Sequence, residues 1–149
     1  MTIKTSDSIK NISMALLKAQ KEFPNLKKDG TNPHFKSSYV TLDEMNQKLI
    51  PILNKHDLIL LQPTVEGGIE VMLIHAPTGE FISSFVSFGT LTINNPQVLG
   101  SVITYFRRYA TGALLSVATE EDTDGEKAMG RTSQPKAQIK PNNVPGLGF

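Results

Sequence analysis

Hydrophobic and polar positions change period along this chain, and each change marks an element. Between Ser6 and Phe23, the residues Ile9, Ile12, Leu16, Ala19 and Phe23 recur at steps of three and four, with Lys10, Lys18 and Lys21 off the stripe. That spacing predicts an amphipathic helix. Ser6 or Asp7 is placed to cap its start, and Pro24-Asn25 ends it. A polar, turn-rich stretch follows from Leu26 to Tyr39. A second helix is predicted from Thr41, where Thr41 and Glu44 have capping-box spacing. Its apolar face is Leu42, Met45, Leu49, Ile52 and Leu53, and Pro51 inside it is expected to kink or reset it.

From Asp57 the period falls to two. Leu58 to Gln62 reads as a short apolar strand, and Ile69, Val71 and Leu73 alternate with Glu70 and Met72 in a second. Ala76-Pro-Thr-Gly79 places Pro and Gly as a type I turn takes them. In a third strand, Phe81 and Phe85 share one face, and Ile82, Val86 and Phe88 the other. Three sequential strands on short turns read as an antiparallel meander. A third helix is marked by Asn95 as N-cap and Pro96 at the first helical position. It is expected to run to about Ala110 and stop at Gly112. Leu99, Val102, Ile103, Phe106 and Ala110 form its expected buried stripe, opposite Gln97, Ser101, Thr104, Arg108 and Thr111. Leu114 to Ala118 reads as a further short buried segment. Beyond Lys127 the chain is rich in Gly, Pro, Ser, Gln, Lys and Asn without a period, and it is read as a disordered tail. The expectation is an α+β fold, with a core domain over 1–126 and a tail over 127–149.

Composition removes several classes of function. The 149 residues include no Cys, so a disulfide framework, a zinc-thiolate site and a thiol nucleophile are excluded. No apolar run approaches the roughly 18 residues of a membrane span. The first residues, Met1 to Ser6, lack the apolar core of a signal peptide, so a soluble intracellular protein is expected. The formal net charge is +1, but it is unevenly placed: +4 over residues 1–56, −2 over 57–118 and −1 over 119–149. A small sum can therefore hide a cationic patch.

Catalytic patterns are missing. His34, His56 and His75 are scattered, with no ligand pair at helical spacing. There is no G-x-S-x-G elbow and no phosphate-binding glycine loop, so neither an enzyme nor a cofactor is expected. The acidic run from Glu120 to Glu126 holds Glu120, Glu121, Asp122 and Asp124, which read either as a solvated boundary or as carboxylates for a metal-dependent nuclease. Two segments carry cations among aromatics. On the third helix, Tyr105 and Tyr109 flank Arg107 and Arg108, which either hold phosphate or pair with acids of a neighbouring element. In the polar stretch, Lys27, Lys28, Phe35, Lys36 and Tyr39 interleave charge with ring faces, as a single-strand site requires. The alternative there is that Phe35 and Tyr39 anchor a long loop. The tail ends on Phe149, an apolar residue suited to docking a partner peptide-fashion or to no role at all.

Four segments in order bring a family into view: Asn32-Pro-His-Phe-Lys-Ser-Ser-Tyr39 with Thr41-Leu-Asp43, then Leu49 to Leu58, then Asn95 to Ala110, then Leu114 to Gly125. Together they resemble the Erf family of bacteriophage single-strand annealing proteins over roughly residues 6–126. Ser38 stands where that family often has Lys, Asp57 where Gly is usual, and Thr123 within an otherwise acidic run. The resemblance implies ATP-independent binding of single-stranded DNA and annealing of complementary strands in phage recombination and repair, inside the bacterial cytoplasm. It implies ring or filament oligomers, and a β-meander packed on a long helix like the annealing core of the eukaryotic Rad-fifty-two protein. A host single-strand-binding or replication protein is a further partner that the tail could engage. A module that binds single strands without annealing them is the alternative.

Overall fold

The period-two segments form one antiparallel sheet, and every described helix lies on the same side of it. The computed structural model describes residues 2–32, 37–91 and 95–120. In chain order the elements are β1 (Thr2–Thr5), α1 (Lys10–Glu22), β2 (Gly30–Asn32), β3 (Ser37–Tyr39), α2 (Leu42–Lys55), β4 (Leu58–Leu61), β5 (Thr64–Val65), β6 (Gly68–His75), β7 (Phe81–Ser87) and α3 (Pro96–Leu115). The main sheet has the order β1-β7-β6-β4, with β5 also paired to β6, and β2 and β3 form a separate two-stranded ribbon. All the pairings are antiparallel. The fold is thus mixed α+β.

Register decides which residues meet the helices. Leu60 opposes Leu73, and Leu73 opposes Ile82, so these three share a face. Leu58, Ile69, Val71 and Leu73 on that face are fully buried. Leu58 and Leu73 meet Ile12 and Ala19 of α1, Met45, Leu49 and Leu53 of α2, and Leu115 of α3 in one core. Burying each such aliphatic side chain stabilises the fold by roughly 1.5–3 kcal/mol.

Local chemistry explains most element ends. Thr41 caps α2, its hydroxyl accepting from the Glu44 N–H at 3.2 Å. Asp29 in turn accepts from the Thr41 N–H and hydroxyl, both at 3.0 Å. Pro51 sits inside α2 on its exposed side, and the helix runs through it to Lys55. Asp57, which follows, has φ +59°, the left-handed conformation that glycine adopts most easily. A resemblance that expects Gly here is thereby explained, since Asp tolerates this region better than most residues.

Several expectations are corrected. β1 was hidden in a polar segment, and it forms because β7 offers it an edge: Ile3 opposes Ser84. Neither Ser6 nor Asp7 caps α1. Its N-cap position is Ile9, without a side-chain cap, and the carboxylate of Glu80 from the β6–β7 hairpin does that work. Glu80 accepts from the Ile12 N–H at 2.8 Å, Asn11 Nδ2 at 2.8 Å and the Ser8 hydroxyl at 2.9 Å. α3 does not stop at Gly112 but continues to Leu115, with Ser116 left-handed at its end. Gly112 serves a close approach instead: a Cβ there would lie 2.9 Å from the Val117 carbonyl oxygen and 2.8 Å from Thr119 Cγ2. The stripes of α3 are also redrawn. Arg108 and Thr111, expected on the polar side, are buried, while Leu99 is 38% exposed. The reason is that the C-terminal half of α3 is enclosed on several sides and its N-terminal half projects. The expected tail over 127–149 lies outside the described residues.

Candidate nucleic-acid interface

The second half of α3 and the segment ending β3 build one cluster from two regions far apart in sequence. Gln62, just past β4, anchors the helix on the sheet. Its Nε2 donates to the Arg107 carbonyl at 2.9 Å and to the Thr111 hydroxyl, and its Oε1 accepts from Arg107 Nε at 3.1 Å. Gln20 of α1 donates to the Leu115 carbonyl at 3.2 Å and fixes the other end. After Leu115 the chain turns back, and the Val40 N–H donates to the Thr119 carbonyl at 2.9 Å. This return carries Glu120 to the flank of α3.

Arg108 lies at the centre. Its guanidinium carbon sits 4.4 Å from the centroid of the Tyr39 ring, 4.5 Å from that of Tyr109 and 5.6 Å from that of Tyr105. Its Nη1 donates to Glu120 Oε1 at 3.1 Å, and the Tyr109 hydroxyl donates to the same oxygen. Burial, with the hydrogen bond to Glu120, pushes the Tyr109 phenol well above its ordinary range. Cation–π contacts of this kind contribute about 0.5–2 kcal/mol each. The Tyr39 ring also rests against Gly30: a Cβ at that position would fall 2.5 Å from two ring atoms. Gly30 thus lets the β2–β3 ribbon lie flat under the tyrosine. The Tyr105 and Tyr109 rings meet one turn apart, tilted by 44° with centroids 4.3 Å apart.

Accessibility then separates the candidates. Arg108 has only 8% of its side chain exposed and is held by a carboxylate, which is the ion-pair alternative for that residue. Arg107 is half-buried, and among the described residues no ion pair with a carboxylate holds it. Tyr105 is 51% exposed and presents a ring to solvent on the other flank of the helix. Lys27 and Lys28 are exposed on the segment before β2, where the Lys27 N–H donates to Glu44 at 3.3 Å. Phe35, Lys36 and His34 lie outside the described residues, as do Phe149 and the acids Glu121, Asp122 and Asp124. The structure thus brings together Tyr39, Tyr105, Arg108 and Tyr109, keeps Arg107 on their flank, and leaves Lys27 and Lys28 on a different segment.

The model of the ERF superfamily matches residues 12–146. The chain is a member of the ERF superfamily. Membership relates it to phage recombination and strand annealing. No curated protein and no solved structure matches the chain.

Sequence reasoning passed over Gln62, Gly30 and the specific role of Glu120. Gln62 had no local signal, because its partners are 45 and 49 residues away. Glu120 stood in an acidic run that gave no preference for one carboxylate. Among the described residues there is no group of His, Asp or Glu that could hold a metal ion, and His56 and His75 are engaged with Glu22 and Thr78. No described helix is long and apolar enough to cross a membrane.

Proposed function

We propose that this ERF-superfamily protein binds single-stranded DNA and anneals complementary strands without hydrolysing a nucleotide, as an oligomer whose subunits contribute to one groove. The observation that carries the reading is the family match over residues 12–146, together with the Tyr39–Arg108–Tyr109 stack flanked by Arg107 and Tyr105. In this reading β4, β6, β7 and α3 are the annealing core of the Rad-fifty-two type. Arg107 contacts backbone phosphate and Tyr105 offers a ring face to a base. Arg108 braces Tyr39 and Tyr109, and reaches phosphate only when Glu120 gives way. Lys36, Lys27, Lys28 and Phe35 line the rim. Contacts to backbone leave base edges free to test a second strand. One net positive charge per subunit suffices because many linked sites on one strand multiply the affinity.

The measurement is binding of an unstructured oligonucleotide against salt, for the wild type and Arg107→Ala. The expected result is a weaker complex and a salt slope reduced by about one. Equal affinity and slope would remove Arg107 from the site. Docking of a host replication or single-strand-binding protein on Phe149 belongs to the same reading. Deletion of residues 141–149 should then remove a partner captured by the full chain, and capture of the same partners without them refutes it.

A further inference from the structure

Two adjacent arginines on α3 are held by different chemistry. Arg108 spends its charge on Glu120, with Nη1 donating to the carboxylate at 3.1 Å. Arg107 is held by an amide instead. Gln62 Oε1 accepts from Arg107 Nε at 3.1 Å, while Gln62 Nε2 donates to the Arg107 carbonyl at 2.9 Å and to the Thr111 hydroxyl. One side chain thus grips both the backbone and the side chain of the same arginine. The orientation of the amide is settled by its partners. A carbonyl only accepts, so the NH2 group must face it, and the amide oxygen is left to face the Arg107 N–H. Gln62 is itself fixed by the sheet. Leu61 before it pairs with Met72, Thr64 beyond it pairs with Ile69, and the Pro63 carbonyl accepts from the Glu70 N–H at 3.1 Å. The grip on Arg107 therefore comes from a paired hairpin 45 residues away in sequence.

An arginine carries five N–H donors on one planar fork, one of them on Nε. Gln62 takes that one. Among the described residues, no acceptor takes the donors on the two terminal nitrogens of Arg107, and no carboxylate pairs with it. A loose arginine samples many rotamers, and ordering it on a ligand costs entropy. A carboxylate at position 62 would hold the guanidinium more strongly, but it would cancel the charge and set a second acceptor against the Arg107 carbonyl. A neutral amide holds the fork and leaves the charge unspent. We infer that Gln62 is a positioning residue of the single-strand site. It fixes Arg107 at Nε, so that the outer edge of the guanidinium, with its two terminal nitrogens, meets a backbone phosphate already aimed. The two arginines thereby divide the work: the amide-held one serves the DNA, and the carboxylate-held one braces the tyrosines. The inference rests on the reading of Arg107 as a phosphate contact and adds what orients it.

The test is binding of a labelled, unstructured oligonucleotide to the full chain, by anisotropy, over a range of salt. The wild type is compared with Gln62→Met, Gln62→Glu, Arg107→Ala and the double variant Gln62→Met/Arg107→Ala, each checked for its fold by circular dichroism. Gln62→Met keeps the length of the side chain and removes both of its hydrogen-bonding groups. It should bind roughly threefold to tenfold more weakly than wild type. Its salt slope should stay that of the wild type, because the charge still reaches phosphate. On the Arg107→Ala background the same change should cost nothing further, since no guanidinium is left to aim. Gln62→Glu keeps an acceptor for Nε but pairs the charge, so it should bind weakly with a slope reduced by about one, as Arg107→Ala does. Three results overturn the inference: wild-type affinity in Gln62→Met, an equal loss from Gln62→Met on both backgrounds, or a wild-type slope in Gln62→Glu. The second of these would leave Gln62 only a fastener of α3 to the sheet. Should methionine cost the fold, Gln62→Leu is read on the same two backgrounds. If Arg107→Ala binds as the wild type does, the phosphate contact and its positioning fall together. If Arg107→Ala is weak and Gln62→Met is not, the positioning role alone falls.

Discussion

Two glycines on one helix should respond to the same substitution with opposite sign. At Gly112 a Cβ would meet the Val117 carbonyl oxygen at 2.9 Å and Thr119 Cγ2 at 2.8 Å, whereas at Gly100 nothing lies within 4 Å. The oxygen at Gly112 is backbone, fixed by the Val117 N–H donating to the Gly112 carbonyl at 2.9 Å. It cannot swing aside as a side chain would. Forcing a methyl into such a site costs about 1–3 kcal/mol. Alanine recovers about 1 kcal/mol through its better helix propensity. Gly112→Ala should therefore destabilise by up to about 2 kcal/mol, lowering Tm by up to roughly 8 °C for a domain of this size. Gly100→Ala keeps the propensity gain alone and should raise stability by about 0.5–1 kcal/mol. Urea unfolding at matched, sub-micromolar concentration compares them with little contribution from assembly, and unchanged m values would license reading the midpoints as stability. If Gly112→Ala is as stable as Gly100→Ala, the return of the chain onto α3, and with it the placement of Glu120, is wrong.

Further outcomes follow from individual contacts. Glu120→Gln removes the charge that holds Arg108, and it should tighten binding to single-stranded DNA about threefold to tenfold at low salt in an anisotropy titration; weaker binding would mean that Glu120 orders the site. Desolvation acts to raise the Glu80 carboxyl, but hydrogen bonds from Ile12, Asn11 and Ser8 outweigh it and hold it below 4.5. The stability it contributes is present above that value and is lost as pH falls through its lower, folded value. Melting scans on the acid side should therefore show a steeper loss for wild type than for Glu80→Gln, and parallel curves would refute the capping role. Asp57→Gly relieves a left-handed residue at φ +59° and should stabilise by about 0.5–1 kcal/mol in the same urea assay; a loss of stability would show that the Asp side chain matters more than its backbone.

Legibility in the sequence followed the range of the interaction. The strands at Leu58, Ile69 and Phe81 and the caps at Thr41 and Asn95 depend on neighbours within a few residues, and their patterns were readable. β1 was not, because Thr2–Thr5 is a strand only while β7 lies beside it. The cap on α1 was missed for the same reason: Glu80 is 68 residues from the N–H it accepts. On α3 the apolar stripe from Val102 to Ala110 was read correctly, but Leu99 is exposed, and Arg108 and Thr111 on the opposite stripe are buried. Arg108 is buried because tyrosines and a carboxylate from three segments surround it, and period analysis treats any Arg as a solvent residue. Arg108 and the two tyrosines near it in sequence do form one cluster on α3, and Tyr39 stands at the same cluster. What could not be read was which arginine is accessible, since that depends on Gln62 and Glu120.

Annealing itself is the most direct test of the account. Two complementary oligonucleotides, one fluorescently labelled and one quenched, are mixed with the full-length protein in buffer free of nucleotide and divalent metal. Duplex should form much faster than without protein, with the gain lost as salt is raised and reduced by Arg107→Ala. Tight binding to each strand with no acceleration of pairing would contradict it and leave a protein that coats single strands.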